Sequence, residues 1–428
     1  MRLLRLDAHR PRETARWTLG VLVSSDCQRV AGALVASSGR GVLLRPEIVD
    51  CSSVDVPPET QALFHELDGC ARDGGAPGVT GRIASLRAQL AETEALVVRE
   101  MTSRSGPAQT RLLAVAVHDP GVWGCGASVP GTYMSLCDAA RLAELTDANV
   151  IDAFPARDVA RGGQGGPIAA LPEWILLGSS QTHRALVDLG STVRLSFLPR
   201  VGGEKADARV LSFEVGPGMR LLDQLVQRLT QGEHRFDPGG RFAVQGRRIR
   251  ALLEHWLADP WFRRPLPRWQ PRGVRPERFL LDAVQMAVES GWSVRDLLCT
   301  ATHLIAETVA RSLERYRPPD MTTCEAVVTG GGQHNGLLLR EIVDRVPGVR
   351  VVRVGQLGLP DEALAPACVA LLALLYVDQV PANHPAVTGT ELPRVLGRLT
   401  PGSPQSWQRL LLELTGTRPA VRPLRAAV

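Results

Sequence analysis

Lysine is nearly absent from this sequence: Lys205 is the only one in 428 residues, and the other Lys/Arg positions are all arginine. A Walker-A phosphate loop, which needs its Gly-Lys-Ser/Thr step, is thereby excluded, and lysine Schiff-base chemistry is disfavoured. Cysteine is present but unpatterned. Cys27, Cys51, Cys70, Cys125, Cys137, Cys299, Cys324 and Cys368 form no Cys-x-x-Cys pair and have no His-rich spacing beside them. That argues against a zinc site and for a reduced, cytoplasmic chain. The arginine-rich start, Met1 to Thr18, contains no apolar h-region. Long hydrophobic runs are also missing. The longest, Ala363 to Val377, contains Pro366 and stops at Asp378. It is too short to span a bilayer and reads as a buried helix, so membrane roles are set aside. Neither charge dominates: 49 basic against 44 acidic residues leave +5. The arginines are spread rather than clustered, so no nucleic-acid surface is expected.

What is there reads as α/β. Two apolar runs, Trp17 to Val23 and Val30 to Val35, flank a polar turn and predict a hairpin with its tip at Ser24 to Arg29. Residues 52–80 are punctuated by Pro, Gly and Ser and predict one short helix; Gly81 to Ser103 predicts a one-faced helix. Leu112 to Val117 has the continuous apolar character of a parallel strand. A second hairpin is expected around Gly190, from Ala185 to Leu189 and Leu195 to Leu198. Leu257 to Glu277, rich in Pro, Arg and Trp, predicts a surface crossing, and Trp174, Trp256, Trp261 and Trp269 read as packing residues. Strands alternating with helices, and hairpins half a chain apart, predict two similar lobes. A first lobe is expected over residues 1–182, a second over 183–392, and a C-terminal helix and tail over 393–428.

Four places carry candidate chemistry. In Cys324-Glu-Ala-Val-Val-Thr-Gly-Gly-Gly-Gln-His-Asn335, a strand runs through Gly330, Gly331 and Gly332 into a helix starting at Asn335. Such glycines let backbone approach a flat or anionic ligand, although a plain tight connection reads the same way. Contiguous glycines with no acid at the proper interval are not a Rossmann fingerprint. In Arg157-Asp-Val-Ala-Arg-Gly-Gly-Gln-Gly-Gly-Pro167, Asp158 precedes permissive turn residues and fits a base beside a polyol, or equally an Asp at a turn boundary. Glu214 closes a strand before Gly216-Pro-Gly218, where it could face a metal or phosphate or cap the next helix. His118 follows a strand at its C-terminal end, where α/β proteins keep functional residues.

In order, these pieces resemble the anhydro-N-acetylmuramic acid kinases, from about Gly20 to about Gly402. Val150-Ile-Asp-Ala-Phe-Pro-Ala-Arg-Asp158 and its Gly-rich continuation resemble that family's catalytic-Asp segment. Asp138-Ala-Ala-Arg-Leu-Ala-Glu-Leu-Thr146 resembles the preceding helix, Gly330 to Asn335 the adenosine motif, and Ala382-Asn-His-Pro-Ala-Val-Thr-Gly389 a C-terminal turn. The resemblance implies a two-lobed actin-like/sugar-kinase ATPase fold with a cleft between lobes. It implies ATP and Mg2+ as cofactors and an amino sugar as the partner, in a family that often forms dimers. The reaction would phosphorylate O6 of 1,6-anhydro-N-acetylmuramic acid while water, activated by Asp158, opens the anhydro bridge. Ser24, Ser25, Asp26, Gly190, Gly216, Gly218, Gly330, Gly331, Gly332 and Asn335 would meet nucleotide. His118, Asp138, Gly163 and Gln164 would meet sugar, and Glu214 a metal.

The departures fall at the chemistry. The family hairpin tip Ser-Gly-Thr-Ser-Leu-Asp-Gly is Val23-Ser-Ser-Asp-Cys-Gln-Arg29 here, and His-Gly-Gln-Thr is His118-Asp-Pro-Gly121. Asp-Phe-Arg is Ala153-Phe-Pro155, and a family Glu falls on Ala365. The second phosphate loop is Asp188-Leu-Gly-Ser-Thr-Val-Arg194. Arg29 and Arg194 could pair with phosphates in place of backbone amides. So many changes at phosphate-facing turns fit erosion better than retuning. A second reading is therefore a relative that binds a nucleotide, sugar fragment or protein partner without turnover.

Overall fold

The computed structural model describes residues 15–70, 78–126, 129–202, 210–271, 277–321 and 324–415; Lys205 and most of the arginine-rich start lie outside them. Its strands are β1 (Arg16–Val23), β2 (Arg29–Ser38), β3 (Arg45–Asp55), β4 (Leu112–His118), β5 (Val122–Gly126), β6 (Val129–Met134) and β7 (Val150–Asp152). They continue with β8 (His183–Leu189), β9 (Thr192–Leu198), β10 (Leu211–Pro217), β11 (Cys324–Thr329), β12 (Arg350–Arg353) and β13 (Arg398–Thr400). One sheet has the order β13-β7-β4-β1-β2-β3 and another β10-β9-β8-β11-β12, while β5 and β6 form a separate ribbon.

The two large sheets repeat one plan. β1, β2 and β3 form an antiparallel meander, and β4 and then β7 add parallel to the free side of β1. β8, β9 and β10 form the matching meander, and β11 and β12 add parallel to β8. This duplicated order is the two-lobed actin-like/sugar-kinase ATPase plan. The two hairpins expected from the sequence are β1–β2 and β8–β9. β13 returns from the far end of the chain to pair with β7 of the first sheet.

Helix Leu364–Val377, the greasiest stretch of the sequence, lies between the sheets. On one side it packs with Ala33, Val35, Ala114 and Ala116 of the first sheet; on the other, Leu364 and Cys368 meet Leu186 and Val327 of the second. Being covered all round, it has no polar face, which is why its pattern shows no helical period. Each buried Leu within it contributes about 2 kcal/mol. The outer faces of the sheets are covered by helix Val79–Arg104 in the first lobe and helix Val294–Tyr316 in the second.

Two local expectations are corrected. Residues 52–80 hold the expected helix, Pro58–Cys70, but also the end of β3 and the start of helix Val79–Arg104. Polar residues along β3 hide an edge strand that pairs with its chain neighbour β2. The crossing from Leu257 is not simply a surface strap: Trp261 and Arg268 are buried within the second lobe. The Arg268 guanidinium stacks over Phe213 and Trp261 at 5.5 and 5.7 Å.

Candidate active site

The cavity between the lobes, about 370 Å³, is floored by helix Leu364–Val377 through Leu364, Ala365, Cys368, Val369 and Leu372. Hairpin tips close one end. The β1–β2 tip contributes Ser25 and the β8–β9 tip Ser191 and Thr192, and the Ser25 and Ser191 hydroxyls stand 3.3 Å apart across the lobe boundary. Ser24 shapes the first tip: its Oγ accepts from the amides of Gln28 and Arg29 and donates to Asp26 Oδ1 at 2.6 Å. Gly330 lines the same end at φ 80°, with no room for a side chain: a Cβ would come within 2.7 Å of the Leu189 backbone.

Acidic and basic groups meet beside this end. Arg194 of β9 donates to Glu173 at 2.5 Å and to Asp188 at 3.1 Å, and Glu173 also accepts from Ser196. Burial works against the Arg194 charge, but the two carboxylates outweigh it and hold its pKa above the ordinary arginine value. Arg194, Asp188 and Glu173 all line the cavity.

The cavity is also lined by His118 and Asp119 at the end of β4, where His118 pairs with Leu22 just before the first tip, by the loop Gly165 to Ile168, by Trp123 of the ribbon and by Trp269 of the crossing. Asp119 is a turn-former held by the amides of Gly121 and Leu136 and the hydroxyl of Ser135. Burial lowers the His118 pKa, with the Asp119 charge opposing, so the imidazole is neutral at neutral pH; its Nδ1 has no hydrogen-bond partner. Behind the wall, burial first, then Asp119 and Asp152, push the Glu94 carboxyl up to about 8.

Of the residues singled out in the sequence, Ser25, His118, Asp188, Arg194, Gly330 and Ala365 line this cavity. Several others brace it from behind. Asp158 is wholly buried, accepts from Gly165 N at 2.7 Å and from Asn383 and Thr388 at 2.6 Å each, and leaves no space for a Cβ on Gly163. Gln164 donates its side-chain amide to Pro267 O and its backbone N–H to Thr388 O. Gly190 receives Met219 N on its carbonyl, Gly218 packs against that same carbonyl, and Gly332 sits on Leu189 and Met219. Gly216 faces Phe262, and Gly331 opens to free space.

The remainder take structural partners. Asn335 caps helix Gly336–Arg345 through Leu338 N, and Asp138 caps helix Ala139–Thr146 through Arg141 N. Asp26 lies near Asp223, and burial together with that charge raises the Asp223 carboxyl to about 7. Glu214 is buried at the edge of β10, where its carboxylate accepts from Gln270 N. Arg29 points to Asp55 on the exposed surface. Sequence reasoning missed Asp119, Trp123, Ser191, Thr192 and Asp361 as lining residues and took Trp269 for packing. Ser191 and Thr192 were within reach, since they follow Gly190 in the same hairpin turn.

Two lobes of duplicated topology, with hydroxyl-bearing hairpin tips facing each other over a cavity, define a kinase-type ATPase fold. The comparison with known families agrees: residues 63–402 match the family model described as anhydro-N-acetylmuramic acid kinase. The chain belongs to that family. It is 35% identical over 324 residues to the anhydro-N-acetylmuramic acid kinase of Xanthomonas campestris pv. campestris (strain 8004), covering 75% of this chain and 81% of that one. It is 34% identical over 384 residues to that of Xanthomonas axonopodis pv. citri (strain 306), covering 90% and 97%. A relative of the same description from Synechococcus sp. (strain CC9902) is 31% identical over 345 residues, covering 80% and 89%. Among the described residues no helix is long and apolar enough to cross a membrane.

Proposed function

We propose that this protein is a cytoplasmic ATP-dependent kinase of cell-wall recycling, phosphorylating O6 of 1,6-anhydro-N-acetylmuramic acid while water opens the anhydro bridge at C1. The observation that carries this reading is one cavity between the lobes that is lined by two chemically different sets of residues. One set is the hydroxyls of Ser25, Ser191 and Thr192 with Gly330, and the other is His118, Asp119 and two tryptophans. A phosphate donor and a sugar can therefore share this cavity.

Ser25, Ser191 and Thr192 would meet the phosphates, with Arg194 adding charge nearby. Asp188 and these hydroxyls are hard oxygen donors, a set that fits Mg2+ held partly by phosphate and water. Bound there, the metal would neutralise phosphate charge during transfer. The general base for the water is Asp158. It lies one layer behind Gly165, so the Gly165 N–H must release its carboxylate when sugar binds. The test is direct: pure protein, ATP, Mg2+ and the anhydro-sugar, with phosphorylated ring-opened sugar as the expected product. None at high enzyme concentration defeats the reading.

A second reading, binding without turnover, draws on the same geometry: Asp158 has three donors, and Arg194 is already engaged by two carboxylates. Calorimetric binding of ATP or sugar with no product would favour it, and sustained multiple turnover would dispose of it.

A further inference from the structure

Phe, Tyr and Trp together make up 4% of this chain, yet aromatic rings gather at the cavity wall. Trp123 lies with its ring centroid 4.6 Å from Tyr133 and 5.3 Å from Trp269, the latter pair edge to face. Trp123 comes from the ribbon of the first lobe and Trp269 from the crossing packed on the second. Both line the cavity, whereas Trp174, Trp256 and Trp261 are buried in the cores.

The two rings are held in place. Trp123 Nε1 donates to Pro120 O at 2.8 Å, which satisfies its polar edge. Trp269 stands between two anchors on the edge of β10. Arg268 O accepts from Glu214 N at 2.8 Å, Arg268 Nε donates to Glu214 O at 2.8 Å, and Gln270 N donates to the Glu214 carboxylate. Glu214 and the buried Arg268 thus act as positioning residues for the indole. The loop opposite is cut back to fit. Cβ atoms on Gly165 and Gly166 would come within 2.5 Å of Trp123 and 2.6 Å of Trp269.

We propose that Trp123 and Trp269 form a stacking platform for the sugar, assembled from both lobes; this rests on the kinase reading above and names its sugar subsite. An indole face carries negative charge density and attracts the weakly positive C–H bonds of a sugar ring face. A polar group alongside, the His118 imidazole, suits the hydroxyl edge of the same ligand. The ligand class is a monosaccharide with one apolar ring face, which the rigid bicyclic anhydro-sugar presents. Because each lobe supplies one ring, the subsite is complete only when the lobes are together.

The test uses the full chain and its tryptophan fluorescence. 1,6-Anhydro-N-acetylmuramic acid, N-acetylmuramic acid and N-acetylglucosamine are titrated without ATP, and ATP is titrated separately, on wild type, W269L, W269F and W123F. The anhydro-sugar is expected to change the emission. W269L should weaken its binding and raise its KM about tenfold, or about 1.4 kcal/mol, while W269F stays within about threefold and the KM for ATP stays put. Should W269L fail to fold, W269F and W123F still report through loss of the sugar-induced signal. A signal from ATP but not from any sugar, or a sugar affinity indifferent to W269L, overturns the platform and leaves the pair as an interlobe seal. No response to any of the three sugars overturns it too. Sugar binding with the expected signal but no phosphorylated product sinks the kinase reading alone.

Discussion

Asp158 and Asn383, 225 positions apart, meet in a buried hydrogen bond of 2.6 Å that ties the Gly-rich loop before Pro167 to the C-terminal turn. Thr388 bonds the same carboxylate oxygen, and Gly165 N the other. The acid expected to work as a base is therefore also a brace, and substitutions separate the two roles. Asp158→Asn should lower kcat by about a hundredfold or more, the usual scale of general-base loss, with KM for ATP unchanged. Thr388→Val removes one donor but keeps the carboxylate. It should cost about 1–2 kcal/mol of stability and leave most of kcat. Equal kcat losses in the two variants, read beside thermal melts, would assign Asp158 to bracing alone.

Arg194 lines the cavity while holding Glu173 and Asp188. Glu173 is 2% exposed, so Arg194→Ala strands it without a counter-charge. A loss of about 3–5 kcal/mol is expected in denaturant unfolding. Glu173→Gln added to that variant should restore part of it.

Gly330 occupies φ 80° against the Leu189 backbone. Gly330→Ala should cost about 1–3 kcal/mol and raise the KM for ATP more than that for sugar. A larger effect on sugar would move the nucleotide away from this turn.

Glu94 gives a pH signature. Its carboxyl is pushed up to about 8 in the folded chain from an ordinary value of 4.5, so between these the native state holds a proton that the unfolded state has lost. Its contribution to stability is full below about 4.5 and falls as pH rises toward 8, with a slope of up to about 1.4 kcal/mol per pH unit. Glu94→Gln should flatten that part of the profile, which urea melts from pH 5 to 8 would register.

Much of the fold was legible in local pattern. The hairpins, the parallel strands β4 and β11 and the central helix are runs whose apolar period or length gives them away. β3 and the β5–β6 ribbon were not. The former is a half-exposed edge strand that alternates weakly, and the latter is short and glycine-bearing, so each depends on a partner already in place. In the site, Gly330 and His118 were marked by position alone, at the ends of strands. Asn335 and Asp138 bear the same residue types but serve as helix caps, and spacing cannot tell a cap from a ligand. Trp269 misled because a tryptophan in a Pro/Arg-rich crossing looks like filler until Glu214 and Arg268 fix its direction.

By itself, the sequence determined most of the elements, their order and the family, because hydrophobic periodicity and turn residues act over a few positions. Only the tertiary structure decided which polar groups face the cavity. Asp158 was turned toward Asn383 and Thr388, Glu214 toward Gln270, and Trp123 and Trp269 toward open space. A side chain's direction follows from what distant segments offer it. Those segments are brought together only when both sheets close on the helix between them.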